Sequence, residues 1–93
     1  MESYNNVYGA VRNPYNKERI AGGSSGGDAC LVKLGLVNAG IGSDVAGSLR
    51  LPALACGVVG FKPTVNRISN DMLVAYFDQH EWGKKLSPRI GII

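Results

Sequence analysis

The sequence predicts an α/β fold, and three observations carry that expectation. A loop, helix, strand rhythm runs twice between residues 21 and 61. Ten of the thirteen glycines fall between Gly22 and Gly60, so the excess over the usual frequency of about 7% is local. Apolar elements flank these glycines on both sides, which argues for built loops and against a flexible linker. At 93 residues, with 45% hydrophobic and 18% charged, the chain has apolar surface to bury but length for one small core only.

Each element follows from its residues. Positions 1–19 are rich in Asn, Tyr and charge without a helical or alternating apolar period, and read as an extended surface segment turning at Asn13-Pro14. The polar loop AGGSSGG occupies residues 21–27. Asp28 then opens a run with Ala29, Leu31, Val32, Leu34 and Leu36 that suits a short buried helix, its carboxylate favourably near the helix start. Val37 to Ile41, β-branched at both ends, predicts a buried strand that stops at Gly42-Ser43-Asp44. Gly47 to Cys56 predicts a second helix, irregular because of Pro52 and ended by Gly57. Gly57-Val58-Val59-Gly60-Phe61 predicts another short strand, closed by Lys62-Pro63-Thr64. Beyond Val65 the pattern weakens: Met72, Leu73, Val74, Tyr76 and Phe77 group on one element, and Arg89 to Ile93 enters a strand. The apolar finish, and the absence of a strand ahead of the first glycine loop, lead us to expect a chain truncated at both ends.

Composition excludes several functions. Between Gly22 and Gly60 the charges Asp28, Lys33, Asp44 and Arg50 cancel, so the net +3 comes from the flanks. The richest basic cluster, Lys84, Lys85 and Arg89, is too thin for nucleic-acid binding. Cys30 and Cys56 lie 26 positions apart, and the single His80 cannot complete a zinc set with them. No metal or cofactor is expected. With no basic-then-apolar leader after Met1, reduced thiols in a reducing, cytoplasmic setting are the expectation. The longest nearly uncharged stretch, Leu51 to Phe61, is broken by Pro52, Gly57 and Gly60 and falls short of the roughly 18 residues of a spanning helix.

The chemistry concentrates in two Gly/Ser loops, Gly22 to Gly27 and Gly42 to Ser48, each preceding a predicted helix, where free backbone N–H groups suit an anion or a developing oxyanion. A phosphate loop fails because Ser48-Leu49 follows Gly47 where Lys and Ser/Thr belong. A dinucleotide fingerprint fails because Val45 stands where its third glycine should be. Gly22-Gly23-Ser24-Ser25-Gly26 matches G-x-S-x-G, the elbow that presents a serine nucleophile. The polar residues Asn13 to Arg19 do not supply the buried strand that an elbow needs. An elbow-type esterase using Ser24 therefore stays as an alternative.

Gly22 to Gly27 together with GSDVAGSLRLPALACGVVGFKPT from Gly42 to Thr64, and Asn13-Pro14-Tyr15 upstream, resemble the amidase signature family of serine hydrolases acting on amide bonds. Asn66-Arg67-Ile68-Ser69 resembles its fatty acid amide hydrolase branch. The resemblance implies a mixed central sheet flanked by helices, with residues 1–93 forming part of an amidase domain and residues 22–64 its core motif. It implies a Ser, Ser, Lys triad with Ser48 as nucleophile and Ser24 as bridging serine, held through a cis peptide bond. Backbone N–H groups of Val45, Ala46, Gly47 and Ser48 are implied as the oxyanion hole, supported by Ser25, Asp44 and Arg50. The implied partner is a small-molecule amide, with lipid amides included in that class, and the resemblance extends to membrane association for a longer parent.

Two positions depart from the family pattern. Its catalytic lysine lies well upstream of the glycine loop, whereas the only earlier lysine here is Lys17, on a polar segment; Lys33 and Lys62 follow the loop, and Lys62 fits the family's own Lys-Pro position. Ala46 replaces a loop glycine, and its Cβ resists positive φ. The expectation is a fragment, inactive alone, of an enzyme that hydrolyses amides through an acyl-enzyme. The alternative from another class is a catalytically dead interaction module.

Overall fold

The computed structural model describes residues 1–71, 73 and 88–93. The order is β1 (Tyr4–Asn5), β2 (Gly9–Ala10), α1 (Gly26–Lys33), β3 (Ile41–Asp44), α2 (Arg50–Cys56) and β4 (Arg89–Ile92). Two helices and two small sheets bear out the α/β class. Apart from Leu73, the apolar element expected across Met72 to Phe77 lies outside the described residues, as do His80, Lys84 and Lys85.

The first nineteen residues are more ordered than their composition implies. β1 and β2 pair antiparallel with Tyr4 opposite Ala10. Their turn closes on the Asn5 side chain, whose Oδ1 accepts from the Val7 and Tyr8 N–H groups at 3.0 and 2.8 Å. The chain does turn at Asn13-Pro14, with Asn13 Oδ1 accepting from Tyr15 N–H at 2.9 Å. Asn13 is nonetheless buried, and its Nδ2 donates to the Ala55 carbonyl in α2 at 2.8 Å. The segment is thus strapped to the core, a correction that composition could not supply because tertiary hydrogen bonds decide it.

Helix α1 begins at Gly26, two residues before the expected start, and stops at Lys33. Gly35, at φ +68°, ends it: Leu36 N–H donates to Leu31 C=O at 3.0 Å and Gly35 N–H to Val32 C=O at 3.0 Å. Gly57, at φ +64°, closes α2 with the same pair of bonds, from Val58 to Ala53 and from Gly57 to Leu54. Only glycine takes this left-handed position at no steric cost. Pro52 does not distort α2 because it falls in the first turn, where its missing N–H has no intrahelical partner to lose.

The strands required the larger corrections. β3 runs over Ile41–Asp44 and not over Val37 to Ile41, pairing antiparallel with β4 so that Gly42 faces Gly91 and Asp44 faces Arg89. Gly42 and Ser43 look like a loop in the sequence, yet a Cβ at Gly42 would stand 2.5 Å from Ser25 Oγ, so the close approach of the first loop requires glycine in this strand. No strand spans Gly57 to Phe61; Phe61 alone bridges Ile92. The strand expected at Arg89 to Ile93 is present as β4.

The core is small: Ala21, Ala29, Leu49, Ala53, Cys56 and Ile93 are buried, with Leu49 the largest fully buried side chain. The leucines expected to bury this helix do not: Leu31 in α1 is 42% exposed, and Leu34 and Leu36, beyond its end at Lys33, are 59% and 67% exposed. Cys30 in α1 and Cys56 in α2 are both free, their sulfurs 3.9 Å apart. Burial, reinforced by the neighbouring Cys30 thiol, pushes the Cys56 thiol up to about 11. Thiolate is the reacting form, so alkylation of Cys56 by iodoacetamide at pH 8 is expected to run about a hundredfold slower in the folded chain than in urea. Peptide mass mapping against time checks this, and equal rates would contradict the buried placement. Among the described residues no helix is long and apolar enough to cross a membrane, and no group of three or more His, Cys, Asp or Glu side chains could hold a metal.

Candidate active site

The two glycine and serine loops are far apart in sequence and meet in the fold. Ser25 N–H donates to the Ser48 carbonyl at 3.0 Å, so the residue after Ser24 is bonded directly to Ser48. The first loop enters this contact through Gly22, at φ +83°, and a cis Gly23-Ser24 peptide bond, as the resemblance implied. Ser24 is exposed, whereas Ser25 is buried and its carbonyl accepts from Ala29 N–H in the first turn of α1.

The second loop is organised by one carboxylate. Asp44, 1% exposed at the end of β3, accepts from the N–H groups of Gly47 at 2.9 Å and of Leu49 and Arg50 at 3.2 Å. Arg50 adds Nε at 3.0 Å and Nη2 at 2.9 Å in a two-pronged pair. Asp44 thereby caps α2 from outside the helix, satisfying backbone donors that the first turn leaves open. The Arg50 guanidinium, joined by those backbone N–H groups and opposed by burial, holds the Asp44 carboxyl well below the usual carboxylate range.

This network engages one of the four donors expected around an oxyanion. Gly47 N–H points at Asp44 Oδ1. Ala46 is exposed, and Asn66 is the only described non-glycine residue with positive φ, so the conflict anticipated for the Ala46 Cβ does not arise. The half-buried Ser48 directs its Oγ toward Met1 Sδ at 3.7 Å.

A cleft of about 290 Å³ opens beside the junction, its lining including Ser24, Ser25, Asp28, Ile41, Gly42 and Ile90. Ser48 is not on its wall. The backbone contact between Ser25 and Ser48, and not the cleft, is therefore what brings the two loops together. Lys17 and Lys33 are exposed, Lys33 standing 4.5 Å over the Tyr15 ring, and neither they nor the half-buried Lys62 lines the cleft. Sequence reasoning missed Ser3, whose hydroxyl lies among the backbone groups of the first loop. Nothing in the Asn-rich segment around Ser3 signals this.

A family model described as Amidase matches residues 1–83. The chain belongs to the amidase signature family. Its α/β architecture is a fragment of that family's fold. A glutamyl-tRNA(Gln) amidotransferase subunit of Methanospirillum hungatei is 51% identical over 77 residues, covering 83% of this chain and 18% of that protein. The protein of the same name from Chlorobium limicola is 54% identical over 78 residues, covering 81% of this chain and 16% of its own length. That from Syntrophobacter fumaroxidans is 51% identical over 72 residues, covering 77% and 15%. The chain thus spans less than a fifth of the length of these relatives. They do not specify the fatty acid amide hydrolase branch expected from Asn66 to Ser69.

Proposed function

We propose that this segment is the nucleophile-bearing core of an enzyme that hydrolyses the C–N bond of a small amide. Ser48 Oγ attacks the carbonyl carbon as its proton passes to Ser24, and Ser24 passes its own proton to a neutral lysine carried by polypeptide outside these residues. The tetrahedral oxyanion is received by the N–H groups of Val45, Ala46 and Ser48; Gly47 N–H serves the Asp44 carboxylate instead. The C–N bond breaks as the leaving nitrogen takes up the relayed proton, and water then hydrolyses the acyl-Ser48 ester. Ser25, Asp44 and Arg50 hold the two loops. On this reading the 93 residues alone do not hydrolyse amides. A lipid amide, in keeping with the resemblance at Asn66 to Ser69, is one of the small amides this reading allows.

The observation that carries this reading is the 3.0 Å hydrogen bond from Ser25 N–H to the Ser48 carbonyl, which supports a proton relay between adjacent loops. A fluorophosphonate probe applied to the complete protein, followed by peptide mapping, tests it. Phosphonylation of Ser48 is expected. Labelling of Ser24 with Ser48 untouched supports an elbow-type esterase, and no labelling at either serine supports a non-catalytic interaction module.

A further inference from the structure

We propose that Ser3 is a positioning residue that holds the glycine loop around Ser24; the inference rests on the amidase reading above. Ser3 Oγ lies 3.0 Å from the Gly22 carbonyl and 2.8 Å from the Ser24 carbonyl, and it accepts from Gly26 N–H at 2.8 Å. A hydroxyl has one proton, so it donates to one of the two carbonyls at a time while accepting from Gly26. Its contacts fall on both sides of Ser24, so this single side chain clamps the loop from its entry to the first residue of α1.

Two independent features show that the clamp is built into the loop. A Cβ at Gly23 would stand 2.5 Å from the Glu2 carbonyl carbon, and one at Gly26 would stand 2.5 Å from Ser3 Oγ. Glycine at these positions admits the strap over the loop. Ser3 is in turn fixed from the other side, its carbonyl accepting from Val11 N–H at 2.9 Å. The same strap reaches the second loop, where Met1 Sδ meets Ser48 Oγ. The hydroxyl of Ser3 is spent on backbone groups, so Ser3 acts through the placement of Ser24. Displacing a reacting group by about 1 Å can cost on the order of a hundredfold in rate.

The test compares wild type, Ser3→Ala and the hydroxyl-retaining Ser3→Thr in the complete protein. In Ser3→Ala, kcat is expected to fall between tenfold and a hundredfold with KM within twofold, and Ser3→Thr is expected to recover most of the loss. Gly26→Ala, which crowds the same hydroxyl from the helix side, is expected to lower kcat alone in the same way and stands in if Ser3→Ala fails to fold. Hydrogen exchange at the Gly26 amide is expected to accelerate at least tenfold in Ser3→Ala while later α1 amides keep their protection. An unchanged kcat in folded Ser3→Ala, or a loss that Thr does not recover, overturns the proposal. If the wild-type protein turns over no amide, the amidase reading has failed instead. Gly26 protection then decides the clamp, and unchanged exchange overturns it.

Discussion

Ser48→Ala in the complete protein is expected to lower kcat for amide hydrolysis by at least about three orders of magnitude while leaving substrate binding nearly unchanged. The reason is specific to a nucleophile: without the hydroxyl no acyl-enzyme forms, whereas the pocket that binds the amide keeps its shape. Ser24→Ala is expected to give a loss of similar order, because a relay and its nucleophile act as a unit, and the double variant should be little worse than either alone. Steady-state kinetics, with a pre-steady-state burst to detect acyl-enzyme, separate these outcomes. Retained turnover in Ser48→Ala, with turnover and labelling lost in Ser24→Ala, would sink the assignment.

Asp44→Ala is expected to remove about 3 kcal/mol of stability, read as a lower urea midpoint. The Arg50 side chain is 54% exposed, so the ion pair is screened by solvent and is the minor part of that loss. The larger loss comes from the N–H groups of Gly47, Leu49 and Arg50, which lose a buried acceptor together. Asp44→Asn keeps one acceptor oxygen and should lose less. The pH dependence has a definite sign. The folded pKa lies below the ordinary 3.8, so the unfolded chain binds the proton more readily and stability falls with falling pH. The contribution is fully present above about pH 5 and is lost progressively below about pH 4. The wild-type urea midpoint should therefore drop more steeply below pH 4 than that of Asp44→Ala; parallel curves would show that Asp44 is not the group responsible.

The helices were legible because their signals are local: an acidic residue near the start of α1 and a glycine just past the end of α2, although the run read for α1 passed through Gly35, which in fact ends the helix. The strands were not. β1 and β2 are two residues each, too short for alternation to show. Gly42, Ser43 and Asp44 look like a turn until their tertiary partners are known, namely Ser25 pressing on Gly42 and the α2 amides gathering on Asp44. The exposed leucines in and just after α1 show the same limit from the opposite side, since apolar spacing identifies a helix but not where it ends or what covers it. At the site, both serine loops were visible as motifs, and the fold brings them into contact. Ser3 was invisible because it resembles any polar residue in a surface segment until its hydroxyl is seen among three backbone groups.

Asn13, whose amide nitrogen reaches the Ala55 carbonyl, is followed directly by Pro14. Spontaneous deamidation of asparagine proceeds through attack of the next residue's backbone N–H on the side-chain carbonyl, and proline has no such N–H. The joint between the opening strap and the last turn of α2 is therefore protected against the commonest chemical ageing reaction of its own side chain, and should keep its hydrogen bond through prolonged storage at alkaline pH.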